Sequence, residues 1–362
     1  MKININKVNS TPANMDFNLC LFNKPTEEIS DWISYHKFKT EASKNYTNII
    51  IPEDINFNEI FDNYNFYFYF DGFSPNLNKH LHLGHLSNLF IAKAIQNLGI
   101  TNKTIAILGD TLSGEVNKED ALNKYKEYLS KYNYKLSDIY YASEQVLIKN
   151  LLIEGEGEYL GTKIFDLGNE KIVGIKSDGK STYFYQDVAL QQVLNAPTLY
   201  LTGSEQNNHF SALKSIFGHI DHKGLGLVMV NGKKMSSSEG NVYFADDILK
   251  LISDKFPDEK LSYNVLAGSI LKYSISTVKN IDIEQLSNVK NSYGLYVSYT
   301  LARMFSAGIE KIGNKEFHDK KLKYLYYKSK VMIEPNVLFN GLVELCKKIN
   351  NLYTTHIIKD NT

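Results

Sequence analysis

The sequence predicts an α/β protein: a Rossmann-type parallel sheet with a C-terminal α-helical unit. Two patterns predict it. Between residues 66 and 230, short apolar runs of strand character alternate with helical spacing, as parallel strands joined by crossover helices require. From residue 245 onward only helical spacing occurs.

The elements follow in chain order. Residues 1–64 give weak signals and form a segment of unassigned role. Residues 66–70 read FYFYF, an aromatic run expected of a strand covered on both faces. Asp71, Gly72, Ser74, Pro75 and Asn76 are turn residues. Leu86, Leu89, Phe90, Ala94 and Leu98 then fall at helical spacing, with Gly99 as the C-cap. Residues 104–110 (TIAILGD), 198–203 (TLYLTG) and 226–230 (GLVMV) read as further buried strands. Residues 115–165, charged and less regular, read as a short insertion carrying one or two helices, and helical patterns at 261–273 and 293–312 follow. The chain thus divides into 1–64, an α/β domain over 65–244, a helical connection over 245–290 and a helical domain over 291–362.

Composition narrows the function classes. The chain has 362 residues and 43% hydrophobic composition, enough to bury a sizeable core. Lys+Arg and Asp+Glu balance at 40 each, so there is no overall basic excess of the kind that drives non-specific nucleic-acid binding. Every basic residue except Arg303 is a lysine. Cys20 and Cys346 lie far apart without a C-x-x-C partner, so neither a zinc site nor a disulfide framework is indicated. Residues 1–15 lack the apolar core of a signal peptide, and no run of about 18 apolar residues occurs. A cytoplasmic location and no membrane partner are expected, with the oligomeric state open.

Residues 74–88 (SPNLNKHLHLGHLSN) place His82 and His85 three apart at a helix start, with Gly84 between them and Lys79 just before. Two imidazoles and the first-turn N–H groups on one face suit an anion. Metal ligation is the rival reading; no third ligand is near and Lys79 would repel the ion. A second loop, residues 231–241 (NGKKMSSSEGN), carries Lys233 and Lys234, three serines and two glycines, and can close over phosphates. Taken singly it could be a solvated serine-rich turn.

The two motifs, in this order, resemble the signature motifs of the class I aminoacyl-tRNA synthetases, HLGH at 82–85 and KMSSS at 234–238. The more specific likeness is to arginyl-tRNA synthetases, carried by residues 74–88, LGD at 108–110, IKSDGKSTYFYQDVA at 175–189, LTGSEQNNHF at 201–210, KKMSSSEGNV at 233–242 and LYVSYTLARM at 295–304. The last is similar to the start of that family's anticodon-binding domain. The resemblance implies ATP-dependent activation of L-arginine and transfer of the arginyl group to tRNA, with Mg²⁺ accompanying ATP. It implies catalytic roles for Lys79, His82, His85 and Lys234. Gly84, Gly203, Glu205, His209, Lys233, Met235, Ser236 and Ser237 would face ATP, and Asp71, Asn76, Tyr183, Asp187 and Gln206 would face arginine. A guanidinium does want carboxylates and carbonyl-type acceptors, and Tyr183 and Asp187 fall on one face if 182–194 is helical.

The pattern also departs from the family. Ser237 stands where members often carry a second loop lysine, a place Lys79 compensates. Tyr185-Gln186 replaces the usual Thr-Arg, and Ser238-Glu239 replaces a basic pair. The parts that grip tRNA are abbreviated, so a reduced tRNA contact surface is expected. Three readings follow: a compact arginyl-tRNA synthetase, a paralogue that ligates activated arginine to a small molecule, peptide or protein amine, and a non-catalytic nucleotide- or tRNA-binding module.

Overall fold

A computed structural model describes residues 1–11, 17–42, 45–77, 80–110, 118–234, 243–256, 258–288, 290–309 and 319–355. The chain divides into two compact units, Met1–Asn65 together with Tyr296–Thr362, and Phe66–Leu295. Among the described residues no helix is long and apolar enough to cross a membrane.

The first 65 residues hold β1 (Asn9–Ser10), β2 (Leu19–Leu21), α1 (Glu27–His36), β3 (Lys39–Ala42), β4 (Thr47–Ile50) and α2 (Phe57–Ile60). The strands form an antiparallel sheet in the order β1-β2-β4-β3. Thr26 caps α1 by accepting the Ile29 N–H, and the helix turns Trp32 fully into the core, where its Nε1–H donates to Ile60 O at 2.9 Å.

The second unit begins with β5 (Tyr67–Asp71), α3 (Leu83–Leu98), β6 (Thr101–Leu108), α4 (Lys118–Lys131) and β7 (Asp138–Tyr141). A small antiparallel sheet of β8 (Ile153–Glu154), β9 (Lys163–Asp166) and β10 (Lys171–Ile175) intervenes. The chain returns through α5 (Tyr183–Leu194), β11 (Thr198–Gly203), α6 (Asn207–Phe217) and β12 (Ile220–Leu225). The core sheet is parallel throughout, in the order β12-β11-β5-β6-β7. Then come β13 (Val228–Val230), β14 (Lys233–Lys234), α7 (Ala245–Ser253), α8 (Glu259–Leu271) and β15 (Lys279–Ile281). The last three helices are α9 (Tyr293–Ser306), α10 (Lys320–Met332) and α11 (Pro335–Thr355).

Four expectations change. The FYFYF run is not covered throughout: Tyr67 and Phe70 are buried, while Phe66 and Phe68 are 55% and 37% exposed. Residues 228–230 pair with β14 and β15 in a separate sheet rather than joining the core. The core's edge strand is instead Ile220–Leu225, whose polar Asp221 receives the Tyr67 hydroxyl at 2.8 Å and the Lys214 ammonium at 2.6 Å. The presence of β15 also breaks the purely helical reading after 245. Finally, residues 1–64 and 291–362, treated separately above, share a unit: Tyr324 and Tyr327 of α10 join Trp32, Phe57 and Phe61 in one core. Their hydroxyls donate to Val8 O at 3.2 Å and Asp62 O at 2.9 Å.

Candidate active site

The carboxyl ends of β5 and β11 lie side by side where the order of the core sheet reverses, the place at which doubly wound sheets open a crevice for ligands. Each strand there hands over to a segment bearing residues singled out above.

His82 is the N-cap of α3. Its Nδ1 accepts the Gly84 N–H at 3.1 Å, and His85 Nδ1 accepts the His82 N–H at 3.1 Å, with the two ring centroids 3.9 Å apart. This is a capping box built from imidazoles. A neutral imidazole whose Nδ1 accepts carries its proton on Nε2, so the cap sets both rings in the tautomer with an N–H donor on the side away from the backbone. The expectation of free first-turn N–H groups is corrected: Leu83 donates to Tyr243 O at 3.0 Å, Gly84 to His82, and His85 and Leu86 to His82 O at 2.8 and 3.2 Å. A helix start must satisfy its orphan donors, and here the protein does so itself. An anion at this point meets imidazole donors rather than backbone.

The residues that follow the second loop, Tyr243–Ala245, are anchored to the same turn. Phe244 bridges His82, and Ala245 N–H donates to Leu81 O at 2.9 Å. On its other side, Asn231 and Gly232, with φ of 47° and 77°, make the two-residue turn between β13 and β14 that only such backbones allow. Lys233 and the backbone of Lys234 therefore stand on a hairpin. Lys79, Met235, Ser236 and Ser237 lie outside the described residues, as does the side chain of Lys234.

Asp71 ends β5 and is only 4% exposed. The Ser74 hydroxyl donates to its Oδ1 and accepts the Ile107 N–H at 2.8 Å. Tyr125 and Tyr134, and Tyr200 of β11, lie close enough to feel its charge. Burial pushes the Asp71 carboxyl up to about 7, against the pull of the Ser74 hydroxyl, and the charge of Asp187 adds to the rise. Asp187 projects from α5, and its Oδ2 lies 2.6 Å from His209 Nε2 on α6. Phe184 closes edge-on over the His209 ring at 5.3 Å. The residues assigned above to nucleotide and to arginine thus form one hydrogen-bonded pair.

Glu205 folds back over Gly203, where a Cβ would sit 2.2 Å from both carboxylate oxygens, so a side chain there would displace the Glu205 carboxylate. Asn76 bridges Gly109 across the ends of β5 and β6. Tyr183 and Gln206 are exposed and, among the described residues, make no hydrogen bond to the acid pair. His222 of β12 lies 2.8 Å from Thr202 Oγ1 and stacks on Phe210; burial pushes its pKa down to about 4. Sequence reasoning missed Tyr125, Tyr134, Tyr200 and His222 as neighbours of the site. Tyr200 carried a signal, since it lies inside a recognised strand and pairs in register with Asp71; the other three come from segments with no local pattern pointing here.

No protein-family model matches the chain. In sequence it is 26% identical, over 251 residues, to the arginine-tRNA ligase of Lactobacillus johnsonii, covering 56% of this chain and 45% of that protein. The chain spans less than half the length of this relative. In structure it matches the arginyl-tRNA synthetase of Thermus thermophilus with a TM-score of 0.64 at 14% identity, covering 98% of this chain and 89% of that one. The chain is arginyl-tRNA synthetase-like. The Plasmodium falciparum arginyl-tRNA synthetase shares the fold as well, with a TM-score of 0.59 at 18% identity over 96% of this chain and 86% of that one. The carboxyl ends of β5 and β11 are where the described part of the first sequence motif and the acids Asp71 and Asp187 meet the topology of that fold.

Proposed function

We propose that the chain activates L-arginine with ATP, giving arginyl-adenylate and pyrophosphate, and passes the arginyl group to tRNA(Arg). The observation that best supports this reading is that the buried Asp71 carboxyl ends β5 and the imidazole-capped start of α3 is the next element of the chain, both at the carboxyl end of the core sheet. An arginine carboxylate oxygen attacks the α-phosphorus while the bond to pyrophosphate breaks, so no protein nucleophile is needed and catalysis is positioning and charge neutralisation. His82 and His85 donate Nε2–H to the α-phosphate, with Lys79, Lys233, Lys234, Met235, Ser236 and Ser237 around the departing phosphates and Gly84 allowing close approach. Gly203, Glu205 and His209 lie on the nucleotide side. Asp71, Asn76, Tyr183, Asp187 and Gln206 take the arginine, the acids matching its fixed charge. Mg²⁺ enters on the ATP phosphates; among the described residues no group of three or more His, Cys, Asp or Glu could hold a metal. A cytoplasmic location accompanies this reading.

The test is ATP–pyrophosphate exchange with each of the twenty amino acids, run with and without tRNA, followed by charging of tRNA(Arg). Exchange is expected with arginine alone. Asp187→Asn should raise the arginine KM by about tenfold or more while leaving the ATP KM within about twofold. Equal changes in both would move the arginine pocket elsewhere, and arginine-specific exchange without charging would replace tRNA by another acceptor.

A further inference from the structure

The Asp71 carboxyl is buried at the end of β5, and among the described residues no cation lies against it. Its one hydrogen bond among the described residues comes from the Ser74 hydroxyl. The groups facing it from the packed elements are the phenols Tyr125 and Tyr134, Tyr200 from β11, and Asp187 from α5. All are neutral or negative. The nearby imidazole of His209 is bonded to Asp187 rather than to Asp71. His222 feels the charges of His209 and Glu205, and burial pushes its pKa down to about 4, so it is uncharged at neutral pH. A carboxylate buried in such company lacks the compensation that an ionised group needs.

We propose that Asp71 is a neutral acid in the ligand-free protein and becomes a carboxylate when the arginine cation enters, so that arginine binding expels one proton. The inference rests on the arginine-binding reading above. The O–H bond of Asp71 breaks and its proton passes to the solvent buffer; a guanidinium is always protonated and cannot take it up. The group thereby favours a ligand that brings a permanent charge, since only such a ligand offsets the repulsion between Asp71 and Asp187.

The test uses the full chain and L-arginine. Equilibrium dialysis with labelled arginine, between pH 5.5 and 7.5, is combined with calorimetry at pH 6 in two buffers of different ionisation enthalpy. For a group held at about 7 in the free protein and ionised in the complex, affinity is expected to be roughly 25-fold weaker at pH 5.5 than at pH 7.5, with close to one proton released at pH 6. Asp71→Asn should abolish the release and flatten the profile; His209→Gln, whatever its effect on affinity, should still release close to one proton per arginine bound at pH 6. Arginine binding by the native chain without proton exchange overturns the inference and leaves the arginine reading standing. Loss of the release in His209→Gln places the proton on the imidazole and also overturns it. Absence of arginine binding at every pH overturns the reading itself, and the inference with it. Should Asp71→Asn fail to fold, the slope of the native chain and the persistence of the release in His209→Gln decide the matter.

Discussion

A carboxyl group taken out of water without a cation beside it resists ionising, and Asp71 shows the consequence for stability. Its folded pKa, about 7, stands above the ordinary 3.8 of the unfolded chain. Between those values the folded state holds a proton that the unfolded state has lost, so stability falls as pH rises from about 4 to about 7 and then levels off. The full penalty is on the order of 4 kcal/mol, from some three pKa units at about 1.4 kcal/mol each. Asp71→Asn keeps a partner for the Ser74 hydroxyl and has no such slope. Thermal melts of both proteins should therefore coincide most closely near pH 4 and diverge toward pH 8, the variant melting higher; parallel pH profiles would contradict the buried-acid account. The histidines teach a different residue-scale lesson. Their spacing was legible in the sequence as a helix start, whereas their use of Nδ1 to cap that helix was not, because it depends on ring orientation rather than order along the chain.

Elements were most legible where the chemistry was least ambiguous. The strand at 198–203 was recovered at both ends, and Gly99 caps α3 in the left-handed conformation expected of it. The strand at 220–225 escaped notice because its Asp221, His222 and Lys223 disguise a sheet edge as a loop, and 228–230 was misplaced because apolar character reports burial, not partners. The helix α9 carries a further example in Arg303, the chain's only arginine. Its guanidinium lies 4.5 Å from the Tyr353 ring and 5.5 Å from the Tyr299 ring and donates to Asn350 Oδ1 at 3.1 Å. Asn350 in turn donates to the buried Thr300 hydroxyl at 2.6 Å. A flat, forked cation is what this stack accepts, and an ammonium is neither. Arg303→Lys should lower stability by about 1–2 kcal/mol, read as a lower denaturation midpoint with unchanged slope. An unchanged midpoint would reduce the stack to a surface contact.

At the scale of the whole molecule, the division of the chain was the part least open to sequence reading. Weak signals in residues 1–64 reflect a small sheet that completes its core with side chains from α10, some three hundred positions away. Tyr324 is the keystone: it is 1% exposed and packs against Phe17, Phe57 and Phe61. Tyr324→Ala should destabilise this unit by about 3 kcal/mol or more. Trp32, the single tryptophan, reports the loss directly, so its fluorescence transition in urea should move to lower denaturant; an unmoved transition would mean that the sheet stands without α10. The same arrangement sets a timetable for synthesis. Residues that close the first core emerge from the ribosome only after the whole of Phe66–Leu295, a delay on the order of ten seconds or more at ordinary elongation rates. Until then the core around Trp32 lacks Tyr324 and Tyr327, so a segment made before Phe66–Leu295 completes its packing after it.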